Sequence, residues 1–219
     1  MTFTNLLLTL VEYVGIIAFA ISGAMEAAKY RLDLFGVLMM GGVTALGGGV
    51  TRDVLMGYLP PHMFTSYEYL LVAALTSLAV FVVVLFLRNK AMESGNLLGW
   101  IMTVIDALGL GSFVATGTDL AMTSGHADNL FLCVFMGVIT GVGGGLLRDI
   151  MLRNIPAILR KDIYALACVA GSIVYYALAR WLNMPHLAAI LCIAVTVTLR
   201  ILAYRNRWNL PRIRFSGDP

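Results

Sequence analysis

Two groups of charged side chains with the same spacing lie inside apolar segments of this sequence. Each group is a glycine triplet followed, after two further residues, by an arginine and an aspartate. The residues are Gly47, Gly48, Gly49, Arg52 and Asp53 in the first copy, and Gly143, Gly144, Gly145, Arg148 and Asp149 in the second. A charged side chain near the centre of a bilayer costs about 2.5–3.5 kcal/mol, so it marks a buried partner or a water-filled cavity. The duplicated pattern therefore indicates passage of an ion or solute through a membrane.

The arginines need acidic partners if they lie within the membrane. Neighbouring residues do not share a face of a helix, so Arg52 is not expected to meet Asp53. We expect Arg52 to pair with Asp149, and Arg148 to pair with Asp53, across an axis that relates the two copies. Such pairs would either serve only to fix the shape of the helices or also set the electrostatics of a pore or its gate.

The glycine triplets predict local changes in two membrane helices. Each glycine weakens a helix by about 1 kcal/mol relative to alanine in water. We expect Gly47–Gly49 and Gly143–Gly145 to kink their helices and free carbonyl groups, which would then replace the water shell of a cation. In the alternative interpretation the glycines only allow two helices to pack closely.

The composition is that of an integral membrane protein made of helices. The chain of 219 residues is 60% hydrophobic and 12% charged. Apolar runs of about 20 residues recur, and each is long enough to cross a hydrocarbon core of ~30 Å. The three cysteines have no paired spacing, so neither a disulfide nor a metal site is predicted. The sequence contains no nucleophile–base spacing, HExxH pattern or nucleotide loop, and we predict no enzyme activity.

The apolar runs predict seven transmembrane helices in a single transmembrane domain, residues 1–203. The spans are residues 6–28, 34–58, 67–87, 97–117, 130–152, 163–181 and 187–203. The second and fifth spans are predicted to break near the glycine triplets. The prolines at positions 60, 61 and 156 end these two helices, because proline cannot continue the hydrogen-bond ladder.

The duplication covers most of the chain. In the first and fourth spans Glu12 aligns with Asp106, and Phe19 aligns with Phe113. Asp106 lies about ten residues into its span, near mid-membrane at 1.5 Å per residue, where it either lines a pathway or bonds a neighbouring helix. The repeats are residues 6–88 and 97–181. Three spans in each require inverted repeats, with the seventh helix outside the symmetry.

Basic residues predict the orientation of the spans. With the N-terminus outside, twelve lysines and arginines fall in the inner loops and tail, and only Arg180 falls in an outer loop. The inner set is Lys29, Arg31, Arg88, Lys90, Arg153, Arg160, Lys161, Arg200, Arg205, Arg207, Arg212 and Arg214. An excess of positive charge marks the cytoplasmic side. We therefore predict an outer N-terminus, an inner C-terminus and a basic cytoplasmic tail, residues 204–219.

The duplicated GGGxxRD motif, the plan of three, three and one spans, and this polarity resemble the prokaryotic relatives of the trimeric intracellular cation (TRIC) channels. The resemblance covers roughly residues 6–203. It implies a homotrimer in the inner membrane of a prokaryote, with one pore in each protomer. The second and fifth spans would line that pore, which would conduct potassium and other monovalent cations.

The same resemblance bears on ligands and partners. The basic lipid-binding motif of the animal members is not evident after the first glycine triplet, although the basic inner loops could still bind an anionic lipid. No cofactor, nucleic acid or soluble partner is implied, and the permeant ion is expected to be potassium.

Two other functions stay open at the level of sequence. The family has bacterial members that look like carriers of small amino acids, glycine in particular, and inverted repeats with broken helices are common in carriers. A secondary transporter of glycine or a similar solute is therefore the alternative. The third possibility is a non-conducting scaffold whose glycines serve only for packing.

Overall fold

The computed structural model describes residues 3–87, 95–160 and 163–208. Five of the basic residues used to predict the orientation lie outside these ranges, as does most of the predicted tail; they are Arg88, Lys90, Lys161, Arg212 and Arg214. The described residues form helices joined by short connections.

Within these described ranges, six helices are long and apolar enough to cross a membrane. They are α1 (Phe3–Lys29), α2 (Leu34–Leu55), α4 (Tyr67–Leu87), α5 (Gly95–Ala121), α6 (Leu130–Met151) and α9 (Pro185–Asn206). The apolar helix α8 (Ala165–Trp181) has only 17 residues, so a seventh crossing stays a prediction. Two short helices, α3 (His62–Thr65) and α7 (Ala157–Arg160), follow α2 and α6. The helix predicted for residues 97–117 is α5, which runs further than predicted. A π-helical turn, Met122–His126, continues it.

The two glycine-bearing helices begin and end in the same way. At the start of α2 the side chain of Asp33 accepts a hydrogen bond of 2.8 Å from the backbone N–H three residues later. At the start of α6 Asn129 accepts the equivalent bond at 3.0 Å. Such caps satisfy N–H groups that have no partner within the helix. Beyond the C-terminal ends of α2 and α6, two equivalent residues adopt positive φ angles: 79° at Gly57 and 57° at Arg153. The local structure is therefore duplicated together with the sequence.

The predicted break at the glycines is not present in this conformation. Both α2 and α6 run without interruption through their glycine triplets. In a membrane every backbone group needs a partner, and a continuous helix supplies those partners within one segment. The lower helix propensity of glycine is not enough to overcome that requirement. The glycine carbonyls therefore do not form the free ligands that the kink hypothesis required.

The triplets instead allow α2 and α6 to cross at very short range. A Cβ atom on Gly48 would overlap the carbonyl oxygen of Thr140, and one on Gly144 would overlap that of Thr44. These two contacts are reciprocal, as a two-fold axis between the repeats produces. Small residues permit this approach between membrane helices, so the packing interpretation of the glycines describes the structure.

The first and fourth predicted spans run in opposite directions. A Cβ atom on Gly15 of α1 would lie 3.1 Å from Ser112 of α5, whereas Gly109 of α5 faces the ring of Phe19 in α1. As the residue number rises along α1, that of its neighbour in α5 falls, so the two helices are antiparallel. Because these helices are equivalent in the two repeats, the repeats are inverted. The rings of Phe19 and Phe113 meet at the centre, 5.3 Å apart.

The crossing predicts different effects of alanine at two glycines of the same helix. At Gly48 the new methyl group would strike a backbone oxygen, which cannot rotate away, and overpacking of this kind costs about 1–3 kcal/mol. At Gly42 a Cβ atom would meet nothing within 4 Å, so alanine should be neutral or slightly stabilising. Thermal unfolding of purified protein in detergent should show a lower midpoint for Gly48→Ala alone. Equal midpoints for the two variants would show that the crossing does not limit stability.

Candidate functional site

The arginine of the first repeat lies in the last turn of α2 within a buried ionic network. Its Nε and Nη2 atoms both donate to Oδ1 of Asp53, each at 2.8 Å. Its Nη1 atom lies 3.9 Å from a carboxylate oxygen of Glu12 on α1. The hydroxyl of Tyr69 on α4 donates to the other oxygen of Glu12 at 3.0 Å. Three helices therefore meet around the guanidinium of Arg52.

The second repeat builds the same network at the end of α6. Arg148 donates through Nε and Nη2 to Oδ1 of Asp149, at 2.9 and 2.8 Å. Its Nη1 atom lies 3.9 Å from Oδ1 of Asp106 on α5. Tyr164 donates to that same Asp106 oxygen at 3.4 Å. Arginine, adjacent aspartate, distant acid and tyrosine thus recur with equivalent partners.

The second oxygen of each aspartate holds the chain beyond the helix. Oδ2 of Asp53 accepts the backbone N–H of His62 at 2.8 Å, where α3 begins. Oδ2 of Asp149 accepts the backbone N–H of Ala157 at 2.8 Å, where α7 begins. Each aspartate therefore neutralises an arginine and also fixes the segment that returns from the helix end.

The predicted pairing across the two-fold axis, Arg52 with Asp149 and Arg148 with Asp53, is wrong. The axis passes through the glycine crossing, so it places the two Arg–Asp sequences at opposite ends of the molecule. The rule that adjacent residues face different ways applies to their Cβ atoms. An arginine side chain is long enough to fold back and reach the next carboxylate.

Each network borders a cavity. The Arg52 network opens into a cavity of about 760 Å³, whose wall also includes Thr116 and Asp119 of α5. The Arg148 network opens into a cavity of about 210 Å³, whose wall also includes Ser22 of α1. The two cavities share no lining residue.

A packed apolar layer separates the cavities. Glu12 in one wall and Ser22 in the other are ten residues apart on α1, or about 15 Å along the helix axis. Phe19 and Phe113 lie between these levels and are fully buried. The larger cavity and the smaller one therefore end on opposite sides of a closed barrier.

The six glycines of the motif divide into two groups. Gly47, Gly48, Gly143 and Gly144 lie in the crossing itself, and their missing side chains face the partner helix. Outside the crossing, a Cβ on Gly49 would press on the side chain of Met63, and one on Gly145 would lie 3.3 Å from the hydroxyl of Tyr164. The last glycine of each triplet therefore accommodates the segment that follows its helix.

A third arginine belongs to the second network. Arg200 on α9 was counted with the basic residues of the inner surface, but the structure buries it, with 3% of its surface exposed. Its Nη2 atom lies 3.5 Å from Oδ2 of Asp106, and its guanidinium lies 4.4 Å from the centre of the Tyr164 ring. Its position three residues inside the predicted seventh span was the signal that could have identified it.

Other members of the site carried weaker signals in the sequence. The alignment of Glu12 with Asp106 placed both acids at equivalent positions, and the structure brings each to its arginine. Tyr69 and Tyr164 are equivalent too, but tyrosines near the ends of apolar helices are common at membrane interfaces. Asp119 was overlooked beside the end of the fourth predicted span, where an acidic residue reads as part of a connection.

Known proteins share the two-part organisation of this chain. A family model described as "Glycine transporter" matches residues 9–85 and again residues 103–180. The chain belongs to this family. The two matched segments fall within the two inverted repeats, residues 6–88 and 97–181.

Relatives of the chain are bacterial membrane proteins. The UPF0126 inner membrane protein YadS of Escherichia coli is 39% identical over 208 residues, which cover 94% of this chain and 95% of that protein. The membrane protein YvgT of Bacillus subtilis is 34% identical over 209 residues, with 95% and 98% covered. Together with the apolar helices, these relatives identify a multi-pass membrane protein.

The fold is that of solved TRIC channels. A solved structure described as "Structural basis for conductance through TRIC cation channels" matches this chain with a TM-score of 0.81 and 39% identity, and the match covers 100% of both chains. The TRIC trimeric intracellular cation channel orthologue from Rhodobacter sphaeroides matches with a TM-score of 0.82 and 27% identity, covering 92% of this chain and 98% of that one.

The buried network predicts that Asp149 contributes far more to stability than an exposed aspartate in a similar pair. Its replacement by alanine would leave a buried guanidinium poorly compensated, and breaking a buried pair typically costs about 3–5 kcal/mol. The matched control is Asp128→Ala, because Asp128 lies 2.6 Å from Arg180 but is 90% exposed. Exposed pairs contribute about 0–1 kcal/mol.

Thermal unfolding in detergent distinguishes the two cases. We expect a large decrease in the midpoint for Asp149→Ala and almost none for Asp128→Ala. Similar shifts in both variants would contradict a structural role for the buried network.

Proposed function

We propose that this protein is a cation channel whose pathway runs through each protomer and joins the two cavities. The observation that carries the proposal is the approach of two charged cavities from opposite ends of the antiparallel pair α1 and α5, with only an apolar layer between them. The similarity to solved TRIC cation channels over the whole chain supports the same function.

The ionic networks explain how arginines are compatible with cation passage. Each guanidinium binds the carboxylate of the next residue, so the Arg–Asp pair has almost no net charge. In the first network Glu12 then adds a negative charge beside the cavity. Acidic side chains along a pathway favour cations over anions. The arginines therefore organise the walls without making the cavity positive.

The glycine crossing and the apolar layer would act as the gate. At Gly48 and Gly144 the contact between α2 and α6 is made by backbone atoms, while the side chain of Leu147 lies against Gly47, so few side chains hold the two helices in one register. A small displacement there would separate Phe19 from Phe113 and connect the cavities. In this proposal the pore is lined by α1, α2, α5 and α6, and its narrow region is the apolar layer rather than a ring of free carbonyls.

The remaining properties of the proposed channel come from the sequence and its relatives. Potassium is the proposed permeant ion, and a homotrimer in the inner membrane is the proposed assembly, as the description of the Rhodobacter sphaeroides orthologue suggests. The burial of Arg200 removes one residue from the inner basic set but leaves the large excess. An outer N-terminus is therefore retained, with the larger cavity on the outer side.

A glycine carrier is the second candidate. The wall of the larger cavity contains one guanidinium, Arg52, together with the carboxylates of Glu12 and Asp119. These groups suit the carboxylate and the ammonium group of an amino acid zwitterion. Two cavities on opposite sides of a closed barrier in an inverted repeat are also compatible with alternating access.

Reconstitution of the purified protein into planar bilayers under a potassium gradient, with and without glycine, tests the two candidates. A channel should give discrete current steps that reverse near the potassium equilibrium potential and do not require glycine. Silent bilayers, together with saturable glycine uptake into liposomes from the same preparation, would establish the carrier instead.

The apolar layer predicts a specific effect of Phe113→Ala. The ring packs only in the closed state, so its removal should favour opening. We expect the ratio of open to closed time to rise by about tenfold, which corresponds to ~1.4 kcal/mol and is less than the usual cost of truncating a buried phenylalanine. The control is Phe135→Ala, because Phe135 is 42% exposed on α6. Unchanged open times in Phe113→Ala channels would place the gate elsewhere.

A further inference from the structure

Two charged side chains break the symmetry of the repeats. Asp119 on α5 borders the larger cavity, and the equivalent position on α1 is Met25, which has no charge. Arg200 lies on α9, which is outside both repeats, and joins the second network at Asp106. The two ends of the proposed pathway therefore differ in charge although their Arg–Asp networks are the same.

Asp119 is held in position at the wall of the larger cavity. The hydroxyl of Tyr175 on α8 donates to Oδ1 of Asp119 at 2.7 Å, and Tyr175 itself is fully buried. A buried tyrosine keeps its partner in one orientation. With Glu12 and Asp53, the described residues of the wall then include three carboxylates against the guanidinium of Arg52. This end of the pathway is negative.

Arg200 balances the charge at the other end. Its guanidinium contacts Asp106 at 3.5 Å and the face of Tyr164 at 4.4 Å. Its Nε atom is buried and has no hydrogen-bond partner among the described residues. The position of this charge is therefore set by Asp106 and the tyrosine ring.

The smaller cavity consequently has no excess of negative charge. Among the described residues, the charged side chains of its wall are Glu26 and Asp106 against Lys29 and Arg148, and the pair partners Asp149 and Arg200 lie behind them. A cation that approaches from this end meets no net attraction, whereas one that approaches from the end with Asp119 does.

We propose that Asp119 and Arg200 give the pathway a fixed polarity, so that cations pass more readily from the larger cavity to the smaller one than in reverse. This inference rests on the proposed channel function. The negative charge of the larger cavity raises the local concentration of cations and their rate of association. Arg200 lowers the local concentration of cations at the opposite end. Asp119 and Arg200 thus determine the direction and size of rectification.

Single-channel recording in symmetric potassium chloride tests the polarity. Each channel has one orientation in the bilayer, so currents at equal and opposite voltages can be compared within one recording. We expect a current ratio of about two or more for the wild type, since focusing by a charged cleft changes association rates by tenfold or more. Asp119→Asn should lower the larger current, and Arg200→Gln should raise the smaller one, so both should bring the ratio towards one.

Two controls separate charge from structure. Asp128 is an exposed acid that follows the π-helical turn and pairs with Arg180. Asp128→Asn removes its charge and should leave the ratio of the two currents unchanged. Arg200→Lys keeps the charge and should preserve rectification, whereas Arg200→Gln should not. If Arg200→Gln does not fold, the Asp119 variants still test the proposal.

A cysteine variant tests the direction. Asp119→Cys should reduce the ratio, and an anionic methanethiosulfonate reagent added from the side of the larger cavity should restore it. The native cysteines are buried and should not react. Equal currents in both directions in the wild type, or a ratio that Asp119→Asn and the reagent leave unchanged, would overturn the polarity alone. Absence of any current from the wild type would overturn the channel function together with it.

Discussion

The compensation of a buried guanidinium is the interaction on which this structure depends. Removing a charge from water costs several kcal/mol, and the cost is recovered only when the charge is paired and its hydrogen bonds are satisfied. Here the aspartate that follows each arginine supplies the pairing with one oxygen and binds the backbone of the next segment with the other. The end of the helix, the return of the chain and the acid on a neighbouring helix are therefore arranged around one group. That arrangement is built twice, so both ends of the molecule share the same constraint.

The second constraint is the approach of two helix backbones at the crossing. Packing between helices in lipid depends on close van der Waals contact, because apolar side chains gain little by leaving the lipid for a helix. The overlap that a Cβ atom would create at Gly48 or Gly144 shows how little space the crossing leaves. Close contact between backbone atoms stabilises the pair with few interlocking side chains, of which Leu147 against Gly47 is one. The same feature thus stabilises the pair and is the place where the two helices would have to shift in the proposed gate.

The sequence predicts the elements well because its strongest signals are local. The apolar runs predicted the ends of the long helices to within a few residues. The predicted third span has the same bounds as the helix Tyr67–Leu87. The repeat also placed Glu12 and Asp106 at equivalent positions. The predicted break at the glycines failed because propensity measured in water underestimates the need for backbone pairing in lipid. The cross-pairing failed because an alignment shows that two copies are related but not where the axis passes. The buried role of Arg200 was missed because charge counting treats every arginine near a span end as a surface residue.

Distance from the two-fold axis explains both the symmetry of the crossing and the asymmetry of the cavities. At the axis each repeat is the partner of the other, so a change in one copy alters a contact that both copies must make. Residues there are consequently held to equivalent types, as the two glycine triplets and the pair Phe19 and Phe113 illustrate. Away from the axis, each cavity wall combines non-equivalent residues of the two repeats and is free of that reciprocity. An acid at position 119 can therefore be accommodated at one end, and an arginine at position 200 at the other, without a matching change at the opposite end. The proposed pathway is accordingly symmetric at its apolar layer and differs in charge at its two ends.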